Sequence, residues 1–299
     1  MISKKAKSIY NVLKIINLKE AVDFMNPRRS KISPVPLLLY TKRRIEKSQV
    51  LGRNVYNVSP SEGATDLQIF YFHGGGYATE AAFHHFDIVD ELIKKTNGNV
   101  TFVEYPLTPE YNVHHAIEMV YETYKTEVSK HPERRFVILG DSAGGGLALA
   151  LAMTIRDFNQ ILKSPIKSPE KLVLFSPWLD IGLTNPQIMS LQERDLILDA
   201  ENLREVGKRY AYNIRLEDYR VSPMFGDLND LGSILVFYGS DEIFKPDCEA
   251  FVGNQGLVGT QISGVEYEGM QHDWVVLPIP ERSQTLSEAV AFLSDKKNS

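Results

Sequence analysis

Five short, nearly continuous apolar runs constrain this chain most: LQIFYF (67–72), VTFVEY (100–105), RFVILG (135–140), KLVLFS (171–176) and ILVFYG (234–239). Strands buried on both faces read this way, and they alternate with longer stretches of helical periodicity over 84–96, 113–130, 143–156, 247–258 and 281–294. That alternation predicts an α/β fold with a mainly parallel central sheet flanked by helices. NVYNVS (54–59) alternates as a half-exposed edge strand would, and GVEYEG (264–269) serves as a last strand. Gly98 and Pro132 stand where helices should stop.

Two segments fall outside the alternation. Residues 1–25 place Ile9, Leu13 and Ile16 at helical spacing with lysines opposite, which makes an amphipathic helix that covers another part of the protein or lies on a membrane surface. Pro27, Pro34 and Pro36 then break the chain. Between KLVLFSPW and ILVFYG lie about 55 residues, more than one crossover helix requires, with helical candidates at 186–194 and 199–212. These segments, about 1–45 and 183–222, are expected to form a helical cap on a single domain spanning 1–299.

Bulk composition excludes several functions. Lys and Arg number 33 against 38 Asp and Glu, a net charge of −5, so no global positive field exists to hold a nucleic acid. No apolar stretch approaches the roughly 20 residues of a membrane span, and the lysines in the first segment match a secretory signal poorly. Cys248, the only cysteine, suits a reducing compartment, and a cytoplasmic location is expected. No close His/Cys/Asp/Glu ligand spacing points to a metal, and neither HGGGYATE nor GDSAGGG has the spacing or the lysine of a nucleotide-phosphate loop, so no cofactor is expected.

Chemistry is concentrated at three strand ends. Gly140-Asp141-Ser142-Ala143-Gly144 is a G-x-S-x-G sequence set between a buried strand and an apolar helix, where a tight turn would project the serine oxygen clear of the sheet with the amide of Ala143 beside it. A serine hydroxyl needs a base and the base an orienting acid. Of seven histidines, His272 follows the last strand, where parallel α/β sheets build their sites, whereas His84, His85, His114, His115 and His131 lie on or beside helices. Asp241, just after ILVFYG and between serine and histidine in chain order, is the expected acid; its neighbour Glu242 is expected to point elsewhere, and Asp247 to cap the next helix.

HGGGY, GDSAGG, GSDEI and MQHDW, in that order, resemble the hormone-sensitive-lipase-like carboxylesterases and lipases of the α/β-hydrolase fold, over about residues 50–295. Tyr105–Glu110 and SPWLD resemble two further segments of that family, with Pro106 where an arginine is common. The resemblance implies a cap over the active site and an oxyanion hole whose donors, carried over by position, are the amides of Gly74, Gly75 and Ala143. It also implies hydrolysis of small-molecule esters, with short acyl chains expected. Amide or sugar-acetyl hydrolysis, a lipase acting at a lipid surface and a non-catalytic ligand binder are the alternatives. Tyr77 is a candidate for lining the substrate pocket, and His73 is read as a prop for its glycine loop.

Overall fold

The computed structural model describes residues 2–21, 23–27, 29 and 35–295. Eight strands form one sheet: β1 Arg43–Val50, β2 Arg53–Pro60, β3 Leu67–Phe72, β4 Asn99–Val103, β5 Arg135–Asp141, β6 Lys171–Phe175, β7 Gly232–Gly239 and β8 Thr260–Tyr267. Their order is β1-β2-β4-β3-β5-β6-β7-β8, antiparallel at β1–β2 and β2–β4 and parallel elsewhere. The five apolar runs are the central strands, and every residue of β3, β4 and β6 is buried. NVYNVS is not the edge, because β1 pairs along its whole length and takes that place. The sequence of β1, RRIEKSQV, is largely exposed and charged, so it carries no hydrophobic signal; such charge is how edge strands avoid pairing with other chains.

Helices α4 Phe83–Thr96, α5 Val113–Lys130, α6 Ala143–Ile161, α9 Lys245–Val252 and α10 Pro280–Ser294 cover the sheet and overlap the expected helical stretches, with α6 running five residues past 156 and α9 ending six residues short of 258. Two apolar clusters lie on its opposite faces. One gathers α5, α6 and α9 around Phe70, Ile138 and Leu174; the other gathers α4 and α10 around Tyr71, Leu139 and Phe237. Successive strand residues thus feed alternate layers, as the two-residue strand period demands.

At the C-terminal end of the parallel strands sit α1 Lys4–Ile15, α2 Leu18–Ala21 and, from the insertion, α7 Ile188–Leu191 and α8 Ala200–Ala211. The expected cap stretch 1–45 also takes in α3 Leu37–Lys42 and the start of β1, and its residues 1, 22, 28 and 30–34 lie outside the described residues. Helix α1 is tied down by one face. Ser3 donates from its amide (2.6 Å) and hydroxyl (3.0 Å) to Glu281, and Tyr10 accepts from the amide of Gln271 (3.3 Å). The insertion is bound to the same loop, since the amide of Leu196 donates to Gln271 Oε1 (2.7 Å) and Gln271 Nε2 to the carbonyl of Arg194 (3.1 Å).

Candidate active site

The turn from β5 into α6 is set by what cannot fit beside it. A Cβ on Gly140 would lie 2.2 Å from the carbonyl oxygen of Gly144, and one on Gly144 would lie 2.1 Å from that of Phe72. Only glycine at both positions lets the helix start directly against the strand. Ser142 then takes φ 52° and ψ −120°, outside the regions a non-glycine residue ordinarily occupies, at a cost of roughly 1–3 kcal/mol. Its backbone is held on both sides: its amide donates to Phe175 (2.8 Å) and its carbonyl accepts from Trp178 (2.9 Å).

His272, in the loop after β8, places Nε2 2.9 Å from Ser142 Oγ and Nδ1 2.7 Å from a carboxylate oxygen. That carboxylate belongs to Glu242, not to Asp241. Glu242 is fully buried; its Oε2 faces His272 while its Oε1 accepts from Ser176 Oγ (3.0 Å) and the amide of Gly239 (2.7 Å). Asp241 turns outward and pairs with the guanidinium of Arg194, which is more than half exposed. The two residues are chain neighbours past the end of β7, so their side chains leave the backbone in different directions, and the longer glutamate is the one that reaches the imidazole. Chain position alone could not separate them; the sequence expectation for Asp241 is corrected here.

The glycine loop also differs in detail from expectation. The amide of Gly74 donates to Asp141 Oδ2 (2.6 Å) and so is not available to a substrate. Among the described residues, no acceptor engages the amides of Gly75, Gly76 or Ala143. Gly75 and Gly76 border the same cavity as Ser142 and His272. Gly75 has φ +108°, and a Cβ there would meet Thr79 Oγ1 at 2.1 Å, so the residue is glycine to make the turn rather than to clear space for a ligand. Three consecutive glycines give no clue to which amide is taken. The information lies in Asp141, whose carboxylate folds back onto Gly74.

His73 is buried as a prop. Its Nδ1–H donates to the carbonyl of Gly74 (2.7 Å), its ring stacks on Tyr105 at 4.5 Å between centroids, and Tyr105 Oη donates to the His73 carbonyl (2.6 Å). Burial first, and neighbouring His85 second, push its pKa down to about 3, so it stays neutral. Tyr77 does not border the cavity. It is buried, its ring lying flat on Tyr210 at 3.7 Å and against Trp178 at 5.8 Å, beneath the insertion. Burial raises its phenol pKa. His84 and His85 are nearer the site than their helical position suggested: both border the cavity, and burial lowers the pKa of His84 to about 4.

The cavity above Ser142 has a volume of about 630 Å³. Leu13, Leu18 and Phe24 of the N-terminal segment, Ile197 and Leu203 of the insertion, and Val276 and Leu277 beyond His272 give it an apolar wall. A concave, apolar space with a few convergent polar groups is the usual form of a small-molecule site. Among the described residues there is no group of three or more His, Cys, Asp or Glu arranged to hold a metal, and no helix long and apolar enough to cross a membrane.

A strained serine on a strand-to-helix turn, a histidine from the last loop and a buried acid after the penultimate strand are hydrogen-bonded in the order that hydrolase sites of the Ser-His-acid kind use. Residues 69–276 match the family model described as alpha/beta hydrolase fold, and the chain belongs to that family. It is 30% identical over 253 residues to an esterase of Acinetobacter venetianus, covering 83% of this chain and 81% of that one. It is 29% identical to an acetyl-hydrolase of Streptomyces hygroscopicus over 75% and 74% of the two chains. The crystal structure of an esterase from the bacterial hormone-sensitive lipase family superposes with a TM-score of 0.82 over 98% of both chains, at 21% identity, a likeness of fold. The resemblance drawn from the motifs therefore holds.

Proposed function

We propose that this protein is a serine carboxylesterase that cleaves small, short-chain esters by way of an acyl-enzyme, with Ser142, His272 and Glu242 as its triad. The observation that carries the reading is the unbroken hydrogen-bonded line Ser142 Oγ–His272 Nε2/Nδ1–Glu242 Oε2, at 2.9 and 2.7 Å, at the edge of an apolar cavity. Glu242, already accepting from Ser176 and Gly239, keeps the proton of neutral His272 on Nδ1 and leaves Nε2 free to take the serine proton. Ser142 Oγ attacks the ester carbonyl, and the amides of Gly75, Gly76 and Ala143 receive the oxyanion. One such donor is worth roughly 3 kcal/mol in the barrier. His272, now charged beside Glu242, protonates the leaving alcohol, and water then repeats the cycle on the acyl-serine.

The N-terminal segment and the insertion act as the cap, each supplying apolar wall to the cavity. The acetyl-hydrolase among the relatives favours a small acyl group. Purified Ser142→Ala should fold, fail to react with a fluorophosphonate probe and lose essentially all hydrolysis of p-nitrophenyl acetate and butyrate. A p-nitrophenyl series from C2 to C12 should peak at short chains. Retained activity in the alanine variant would sink the serine assignment, and an optimum at C10 or longer would reverse the chain-length reading.

A further inference from the structure

One short stretch of the insertion, residues 194–198, is hydrogen-bonded to both loops that carry triad side chains. Asp195 in that stretch is an acid outside the triad, yet it is only 1% exposed. Its Oδ2 accepts from the amide of Ile243 (2.9 Å), the residue after Glu242. Its Oδ1 accepts from the amides of Ile197 (2.8 Å) and Leu198 (2.9 Å), two residues that border the cavity. On the other side of Glu242, Asp241 pairs with Arg194, the residue before Asp195. Consecutive residues of the insertion thus hold both chain neighbours of the triad acid.

The same stretch holds the loop of the base. Gln271, buried and next to His272, accepts on Oε1 from the amide of Leu196 (2.7 Å) and donates from Nε2 to the carbonyl of Arg194 (3.1 Å). Lys19 of α2 closes the stretch from the N-terminal side, its Nζ donating to the carbonyls of Asp195 (3.2 Å) and Gln192. The acid and base loops also meet directly, where the amide of Asp241 donates to the Met270 carbonyl (3.1 Å). A buried carboxylate filled by three backbone donors is a demanding anchor, because leaving any of those amides unpaired costs its desolvation.

We propose that residues 194–198 form a clasp, with Asp195 and Gln271 as positioning residues that keep Glu242 and His272 in register and make that register depend on how the cavity wall is seated. The link is a single carboxylate. One oxygen holds the wall at Ile197 and Leu198, and the other holds the turn that presents Glu242. A group that crowds the wall therefore strains the acid turn, and acyl chains too long for the cavity should be rejected in kcat as well as in KM. The inference rests on the serine-esterase reading above for its kinetic consequences, whereas its effect on the His272–Glu242 hydrogen bond stands without it.

Asp195→Asn keeps the shape but has one accepting oxygen, so its amide nitrogen must face either Ile243 or the Ile197–Leu198 pair, donor against donor. Gln271→Met keeps the length and removes both bonds to the insertion. Each should lower kcat by about 10- to 100-fold, the scale of a slightly misplaced catalytic group. A clasp once opened has little left to lose, so the double variant should fall within about threefold of the worse single variant, whereas independent contacts would multiply. The ratio of kcat for p-nitrophenyl butyrate to that for the octanoate should move closer to one in both single variants.

Losses that multiply in the double variant, or single variants with the parent's kcat and chain-length ratio, would overturn the proposal. Proton NMR supplies a reading that needs no turnover. The Nδ1–H of His272, bonded to buried Glu242 at 2.7 Å, should resonate far downfield of the backbone amides in the parent and should shift or broaden in both variants. A resonance that stays in place in folded Gln271→Met overturns the proposal even if Asp195→Asn fails to fold. Failure of the esterase reading would appear separately, as a parent enzyme that neither turns over esters nor reacts with a fluorophosphonate at Ser142.

Discussion

The turn at Ser142 and the turn at Glu242 both follow parallel strands and both deliver one side chain to the same imidazole, yet they are specified differently. At the first, steric exclusion does the work: Gly140 and Gly144 let strand and helix approach so closely that the serine is forced into its strained conformation. At the second, two acidic residues stand side by side, and the outcome depends on reach and on partners supplied from elsewhere. Ser176, from the loop after β6, and the amide of Gly239 hold Glu242, while Arg194 of the insertion draws Asp241 outward. Backbone geometry is local and can be read along the chain. Side-chain selection between neighbours is a tertiary matter.

The sharpest way to break this comparison is Glu242→Gln. Oε1 already accepts from Ser176 and Gly239, so the glutamine carbonyl must take that side and its amide nitrogen must face His272. Nδ1 of the histidine then has to accept, its proton moves to Nε2, and Ser142 loses its base. A fall in kcat of about 10⁴-fold is expected, as for a triad acid converted to its amide. Steady-state kinetics on p-nitrophenyl butyrate would check it, and a loss under tenfold would remove Glu242 from the triad. The other turn is tested by Gly144→Ala. A methyl 2.1 Å from the Phe72 carbonyl cannot be absorbed by a flexible side chain, so a stability loss of about 3 kcal/mol or more is expected in urea unfolding.

The same distinction explains how much was legible in the sequence. The five central strands, the flanking helices, Ser142 and His272 follow from periodicity, strand ends and glycine placement, all of which are local. Strand β1 was not visible, because RRIEKSQV is mostly exposed and joins the sheet through a full-length antiparallel pairing with β2 that leaves little apolar pattern. The carboxylate that meets His272 stands one residue after the expected Asp241. The expected donor Gly74 has its amide engaged, and nothing near it announces that Asp141, 67 positions later, takes that amide. Tyr77 was misread for a related reason: an aromatic beside a glycine loop is apt for a pocket, but the insertion brings Tyr210 flat onto it.

A prop can be separated from a base by acid titration. His73 is neutral because it is buried, with a pKa near 3 against roughly 6.5 in an unfolded chain. The unfolded state therefore binds a proton that the folded state refuses, and stability is lost as pH falls from about 6.5 towards 3. At pH 4.5 this amounts to about 2–3 kcal/mol. Replacing His73 with glutamine, which cannot titrate, should flatten that part of the curve of urea midpoint against pH, whatever it does to stability at pH 7. An equally steep curve would mean that His73 is not the group being protonated.

The smallest effect is expected where the sequence pointed most strongly. Asp241→Asn removes a charge from a surface pair whose arginine is 56% exposed, and such pairs contribute about 0–1 kcal/mol. The backbone of Asp241 is fixed independently, its amide donating to the Met270 carbonyl at 3.1 Å, so the turn that presents Glu242 should survive. The kcat of Asp241→Asn should stay within about twofold of the parent. Any residual loss should shrink as salt is added, because screening weakens the pair that the substitution removes. A salt-independent loss of a hundredfold or more would reverse the comparison and return the triad acid to Asp241.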